Sequence, residues 1–152
     1  MSKEIIDSFY SAFKNHDGKK MAELYHANAV FNDPAFTNLN CQEAGAMWNM
    51  LLERSGGDLS IEYHSVIADE DMGQCTWEAK YKFSKTGNDV HNIIHASMKF
   101  KDGKIIKHTD DFNFWRWSSM ALGTPGKILG WTPFLKKKVQ KMAMGSLKSY
   151  MK

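Results

Sequence analysis

The chain has 152 residues, of which 43% are hydrophobic and 24% are charged. These values are typical of a soluble globular protein, and the length suits one domain with a well-buried core. No apolar run approaches the roughly 20 residues of a membrane-spanning helix, and the first residues are too polar for a signal peptide. The two cysteines lack metal-ligand spacing, which predicts free thiols in a reducing cytoplasm and no metal site.

Charge is divided unevenly along the chain. All 17 acidic residues lie at or before Asp111, together with 12 basic residues, so this part has a net charge of −5. The eight charged residues that follow are all basic, which gives residues 112–152 a net charge of +8. This split predicts an acidic body with a basic C-terminal segment.

The first third of the chain has helical periodicity. Ile5, Phe9 and Phe13 recur at the spacing of an amphipathic helix over residues 3–15. A short second helix is predicted over residues 19–26.

A third helix is predicted to begin after Asn40, because Asn40 and Glu43 have the spacing of a capping box. The pattern then changes to the alternation of strands. Helices followed by an antiparallel meander predict an α+β fold, with the apolar face of the sheet curled around the helices. The predicted strands cover residues 59–67, 75–84, 90–100 and 105–115.

The last quarter of the chain has a different composition. Glycine and proline punctuate residues 116–133, which predicts a buried or clasping loop. Residues 134–150 are predicted to form a final helix with exposed lysines. A solvated lysine face is the default interpretation, and the alternatives are a surface helix on anionic lipid or a helix docked on this chain or on a twin subunit. Nucleic-acid binding is not expected, since a basic stripe alone lacks a reading element.

Two acidic positions are candidates for chemistry. Asp33 precedes a proline at the end of a short apolar strand, so its carboxylate either caps a turn or points into a cavity. On the last strand, alternation puts His108 and Asp110 on the same face as Ile106 and Phe112, and we expect this face to point inward. A carboxylate can hold a neighbouring histidine in one tautomer and make it more basic. The alternatives are a hydrogen-bonded core histidine and a solvated strand end.

Two segments carry a family resemblance. Residues 24–34 (LYHANAVFNDP) resemble the entry to the pocket, and residues 104–113 (KIIKHTDDFN) resemble the last strand, of SnoaL-like members of the nuclear transport factor 2-like superfamily. The resemblance implies a cone: a curled mixed or antiparallel sheet wrapped around three N-terminal helices. It places the cone domain at residues 1–115, with residues 116–152 as a clasping loop and basic helix of the same domain.

The resemblance also implies roles for individual residues. In ketosteroid isomerase, an aspartate before a proline is the general base and a tyrosine on the first helix helps to bind the oxyanion. Asp33 matches that aspartate and Tyr10 lies near the place of that tyrosine, whereas Ala96 stands where the family has the aspartate that completes the oxyanion hole. SnoaL-like cyclases use an aspartate of the last strand as the acid/base group, and Asp110 matches it.

The same resemblance implies a cofactor-free isomerase, cyclase or hydrolyase that acts on an apolar, polyketide-like or steroid-like small molecule. Epoxide hydrolysis is not expected, because it needs an arginine between two aspartates and neither Arg54 nor Arg116 lies on a mid-sheet strand. His108 would orient or share a proton with Asp110. The residues expected to line the pocket are Tyr25, Trp48, Ala96, Met98 and Phe112.

Two other functions stay open from the sequence. The same cavity would serve a non-catalytic module that binds an apolar ligand, and the basic C-terminal helix would serve an interaction protein at a membrane surface. In each case we expect a homodimer that forms through the outer face of the sheet.

Overall fold

The computed structural model describes residues 1–152 and confirms the α+β fold. Helices and strands follow one another as predicted through the first 111 residues. The elements are α1 (Ser2–Lys14), α2 (Gly18–Glu23), β1 (Tyr25–Asn32), α3 (Cys41–Arg54), β2 (Ser60–Ala68), β3 (Met72–Lys82), β4 (Asp89–Lys101), β5 (Lys104–Asp111), α4 (Phe114–Leu122), α5 (Thr124–Leu129) and α6 (Pro133–Tyr150).

Helices α2 and α3 begin where a side chain satisfies one of the first backbone N–H groups, whereas α1 has no side-chain cap. The capping box at α3 is confirmed: the Asn40 side chain accepts from the Glu43 N–H, and the Glu43 carboxylate accepts from the Asn40 N–H. Asp17 caps α2 in the same way through the N–H of Lys20. Helix α1 packs its apolar stripe, which includes Phe9 and Phe13, into the core.

One open, curled sheet covers these helices. Its strand order is β1-β5-β4-β3-β2, so β2 to β5 form the predicted antiparallel meander and β1 joins it in parallel with β5. Along β4, Ile94, Ala96, Met98 and Phe100 are buried and the residues between them are exposed. This alternation fixes which face of the sheet meets the helices.

The predicted inward face of β5 is wrong at Ile106, because the strand has a β-bulge there. Lys107 pairs with Lys99 but Ile105 pairs with Phe100, so Ile106 is the extra residue on β5. Ile105 is therefore fully buried, whereas Ile106 is only partly buried.

The predicted loop over residues 116–133 is wrong, because this segment forms helices α4 and α5. Asn113 caps α4 through the N–H of Arg116, and Gly123 separates the two helices with a φ of 71°. Pro125 lies in the first turn of α5, where a missing N–H costs nothing. Most of the glycines and prolines that suggested a loop mark helix ends instead, and Gly126 lies inside α5 in close contact with Ser118.

Two apolar clusters fill the molecule. The main core lies between the sheet and helices α1 to α3, and the C-terminal end of α6 adds Leu147 to it. A smaller cluster joins α4 and α6 to β4, and its members are Val90, Phe114, Trp117, Ala121 and Leu135. Tyr81 and Phe112 contact both clusters. Every helix of the structure is too short or too polar to traverse a membrane.

Candidate active site

His108 and Asp110 form a buried pair on the inner face of β5. Their side chains point inward as predicted, and each is at most 3% exposed. The Nε2 of His108 lies 2.8 Å from the Oδ1 of Asp110. Burial of a carboxylate without a partner would be costly, and this contact together with the 3.4 Å contact from the Trp77 indole N–H offsets that cost.

A chain of hydrogen bonds orients His108 from its other side. The Tyr25 hydroxyl lies 2.8 Å from the Nδ1 of His108 and accepts from the Trp48 indole N–H at 2.9 Å. Because the Trp48 N–H can only donate, the Tyr25 hydroxyl proton is free to bond Nδ1. Nε2 then carries the imidazole proton and donates it to Asp110. Every donor in this arrangement has an acceptor.

The surroundings of this chain are aromatic. The His108 ring lies between Phe9, Phe31 and Trp48, with ring centroids 4.9 to 6.2 Å away. His108 is therefore also the hydrogen-bonded core histidine of the alternative interpretation. Water is excluded from the pair, so electrostatic interactions there are stronger than at the surface.

Asp33 lies at the same end of the sheet. Phe31 pairs with His108 and Asn32 with Thr109 in the parallel ladder of β1 and β5. The position that follows, Asp33, therefore lies beside Asp110.

The Asp33 carboxylate caps a turn and is only partly exposed to solvent. Its Oδ1 accepts from the N–H groups of Ala35 at 2.7 Å and Phe36 at 2.6 Å, as the turn-forming interpretation expects. Burial nevertheless raises the pKa of Asp33 to about 7, and the charge of Asp110 adds to the rise. The two backbone N–H groups, and more weakly His108, oppose it.

Tyr10 contributes an unpaired hydroxyl to the interior. It is fully buried on α1, and its Oη is the one buried side-chain polar atom without a hydrogen-bond partner. Burial raises the pKa of Tyr10 well above its usual value, and the charges of Asp110 and Cys75 add to the rise. The Cys75 thiol is the one polar neighbour of this hydroxyl, and a neutral O–H donor therefore lies within electrostatic range of the buried carboxylate.

The residues predicted to line a pocket are packed against one another. Tyr25, Trp48, Ala96 and Met98 are buried in the main core, and Phe112 is partly buried between the two clusters. A separate open hollow of about 410 Å³ lies at the surface, and none of the residues that line it is a predicted site residue. No three His, Cys, Asp or Glu side chains lie close enough to share a metal ion.

Helices α4 and α6 cover the end of the sheet where Asp33 and Asp110 lie. Gln140 of α6 donates to the Pro34 carbonyl at 2.9 Å, directly after Asp33. Trp117 of α4 donates to the Tyr81 hydroxyl at 2.9 Å. A molecule can enter the interior from this end only if these hydrogen bonds break.

Sequence reasoning missed the partners that orient the pair. Tyr25 was assigned to the pocket lining, and the donors Trp48 and Trp77 were not connected to His108 or Asp110. The Tyr25 contact depends on parallel pairing between the first and last strands, which no local pattern reveals. The alternation of β3, which puts Trp77 on the inner face, was the one available signal for the Trp77 contact.

Comparison with known proteins agrees with this architecture. Residues 6–108 match the SnoaL-like domain family. Because this match covers more than half of the chain, the protein belongs to the SnoaL-like family, within the nuclear transport factor 2-like superfamily. No curated protein matches the chain.

Three solved structures illustrate the similarity of fold. IdmH, a candidate polyketide cyclase from Streptomyces antibioticus, is 17% identical, with 80% of this chain and 98% of that chain covered at a TM-score of 0.66. AclR, a candidate hydroxylase from Streptomyces galilaeus, is 18% identical, with 84% and 96% covered at 0.65. An LEH-like epoxide hydrolase from M. tuberculosis is 16% identical, with 82% and 90% covered at 0.60. At these identities the similarity establishes the fold alone.

Proposed function

We propose that the protein is a cofactor-free acid/base catalyst that acts on a carbonyl-bearing, polyketide-like small molecule. One observation carries the proposal. A carboxyl group with a pKa of about 7, Asp33, lies beside the buried His108–Asp110 pair. A general base works best when its pKa is near the working pH, and such help is worth about 10²–10⁴ in rate.

The roles follow from which atoms are free. Asp33 uses Oδ1 for the turn, so Oδ2 is available to remove a proton from a carbon next to the substrate carbonyl. The C–H electron pair moves towards the carbonyl oxygen, where the unpaired hydroxyl of Tyr10 can donate a hydrogen bond. Asp33 then returns the same proton to the original carbon or to a second position, so every proton that is removed is given back. No external oxidant or reductant is needed.

The proposed substrate class depends on the family and on two kinds of residue that the site lacks: an arginine for epoxide opening and a second acid for a steroid-type oxyanion hole. Arg116 donates to the backbone carbonyl of His91 at the surface, and Arg54 is exposed, so neither supports epoxide opening. Ala96 lies opposite Asp110 in the register of β4 and β5, where it supplies no second acid for a steroid-type oxyanion hole. A 1,3-dicarbonyl unit, which is acidic enough for one carboxylate base, suits these residues better.

Entry of a substrate requires the cover of α4 and α6 to move. The interior is filled by aromatic rings, and the Gln140–Pro34 contact closes the end nearest Asp33. Lid motion of this kind is common among enzymes that must exclude water during proton transfer.

The test is turnover of a panel of 1,3-dicarbonyl compounds in D₂O, followed by mass spectrometry for conversion and for deuterium uptake. We expect Asp33→Asn and Asp110→Asn to lose activity by at least about 10²-fold. Asp111→Asn is the matched control, because Asp111 is the exposed neighbour of Asp110. Loss of activity in the control as well, or retention in both site variants, would contradict the proposal.

A non-catalytic binding protein is the second candidate. It is favoured by one observation: both nitrogens of His108 are already hydrogen-bonded inside a packed core. A binder predicts that Ala96→Phe removes binding of an apolar ligand while Asp33→Asn does not. Isothermal titration of both variants together with the turnover assay separates the two functions, since Asp33→Asn keeps ligand affinity in either case and loses turnover only if the protein is a catalyst.

We also propose a homodimer through the outer face of the sheet. Large apolar side chains are exposed there, among them Ile67, Met72 and Ile93. Burial of such a patch against a second copy would remove it from water. Light scattering of wild type and of Ile93→Lys tests this, and a monomeric wild type would contradict it. The two free cysteines suit the reducing cytoplasm that we propose as the location.

A further inference from the structure

The junction of α5 and α6 exposes an unusual set of large apolar side chains. Ile128 is 61% exposed, Trp131 is 65% exposed and Phe134 is 70% exposed. Leu129 and Trp115 are exposed beside them. These five residues form the α5–α6 patch.

Hydrogen bonds hold the patch in place. The indole N–H of Trp131 donates to the Ile128 carbonyl at 2.9 Å, and the indole N–H of Trp115 donates to the Lys127 carbonyl at 3.0 Å. Thr132 caps α6 through the N–H of Leu135. The rings are therefore presented on an ordered turn, with their polar N–H groups satisfied by the chain itself.

Unpaired lysines surround the patch. Lys127 precedes it and Lys136, Lys137 and Lys138 follow it, and all four are exposed. No ion pair in the structure involves a lysine after Asp111, and the chain has no acidic residue beyond that point. The charge of these lysines is thus available to an external anionic partner.

The apolar stripe of α6 is not the contact surface. Leu135 and Val139 pack in the smaller cluster, and Leu147 is buried in the main core. A basic helix that lies flat on a bilayer would need this stripe for the lipid, so that form of membrane contact is inconsistent with the structure. The exposed apolar groups are concentrated instead at one end of α6.

We propose that the α5–α6 patch docks this protein on an anionic lipid bilayer. Exposed Trp and Phe favour the interface between headgroups and hydrocarbon, aliphatic side chains insert beside them, and lysines bind the anionic headgroups. A nucleic acid would use the lysines and the rings but offers nothing to Ile128 and Leu129. The surface lies outside residues 6–108, the part matched by the family, and its role is independent of the proposed catalysis.

The test is sedimentation of the full chain with vesicles of phosphatidylcholine alone or with phosphatidylglycerol added. We expect binding to the anionic vesicles that weakens as salt increases. Changing Lys136, Lys137 and Lys138 together to Gln should weaken binding about 100-fold, at about fivefold for each lysine. Changing Trp131 and Phe134 to Ser should weaken it at least about tenfold.

Matched controls distinguish this surface from general attraction. Changing Lys99, Lys101 and Lys107 to Gln alters net charge by the same amount on the sheet, and Leu51→Ser removes an exposed apolar side chain of α3. Both controls should bind as wild type does, and circular dichroism should show every variant folded. The proposal is overturned if wild type does not sediment with anionic vesicles, if the sheet-lysine variant loses binding equally, or if only an oligonucleotide or an acidic protein binds the patch.

Discussion

Tyr25 and His108 meet across the one parallel strand pair of the sheet, with the Tyr25 hydroxyl 2.8 Å from the Nδ1 of His108. They are 83 residues apart in sequence. The same hydroxyl accepts from Trp48, and the same imidazole contacts Asp110. One tyrosine therefore ties the first strand, the third helix and the last strand to the orientation of a single histidine.

Replacement of Tyr25 by Phe should destabilise the fold by about 2–3 kcal/mol, because it leaves the Trp48 N–H and the His108 Nδ1 unpaired in the core. Urea denaturation measures the change. Tyr63→Phe is the control: it removes one hydroxyl bonded to Asp7 in a half-exposed setting and should cost less than about 1 kcal/mol. Equal losses in the two variants would contradict the buried network.

Stability should depend on pH through Asp33. Its pKa in the folded protein is about 7, above the ordinary value of 3.8, so the folded state holds a proton that the unfolded state has released. Wild type should therefore lose stability as pH rises between these values.

The variant Asp33→Asn keeps the oxygen that accepts from Ala35 and Phe36 but cannot ionise. It should be about 4 kcal/mol more stable than wild type at about pH 8, with no such gain at about pH 4. Denaturation at both pH values provides the comparison. A constant offset between Asp33→Asn and wild type at the two pH values would exclude a raised pKa.

Two glycines should respond in opposite ways to alanine. A Cβ at Gly126 would overlap the Ser118 carbonyl, so Gly126→Ala should destabilise the packing of α4 on α5 by about 2 kcal/mol. Gly145 lies within α6 with open space around it, so Gly145→Ala should stabilise the protein by about 1 kcal/mol. Thermal unfolding distinguishes them, and two changes of the same sign would contradict the C-terminal packing.

Local pattern predicted much of the fold and part of the site. Helical spacing gave α1 to α3, and alternation put His108 and Asp110 on the inner face. The β-bulge at Ile106 could not be predicted from the sequence, because one extra residue in a strand leaves no recognisable pattern. Gly126 suggested a loop because glycine is common in loops. Its close contact with Ser118 exists only after α4 and α5 have packed, so the sequence does not reveal it.

The site itself was predictable only in pieces. Asp33 before a proline indicated either a turn cap or a carboxylate that points into a cavity, and the structure shows the turn cap together with a raised pKa. The Tyr25–His108 contact could not be foreseen, because it depends on which strand closes the sheet beside β5. Aromatic rings fill the interior because of the way the helices and the sheet pack together, and hydrophobic periodicity in the sequence does not predict this packing.

The pH dependence of proton exchange next to a substrate carbonyl tests the central claim most directly. Nuclear magnetic resonance in D₂O would follow a 1,3-dicarbonyl compound with wild type and with Asp33→Asn. The account predicts that the wild-type rate rises with pH to a plateau, with a midpoint near the Asp33 pKa of about 7, and that the variant lacks this rise. A variant that exchanges protons at the wild-type rate and with the same midpoint would contradict it.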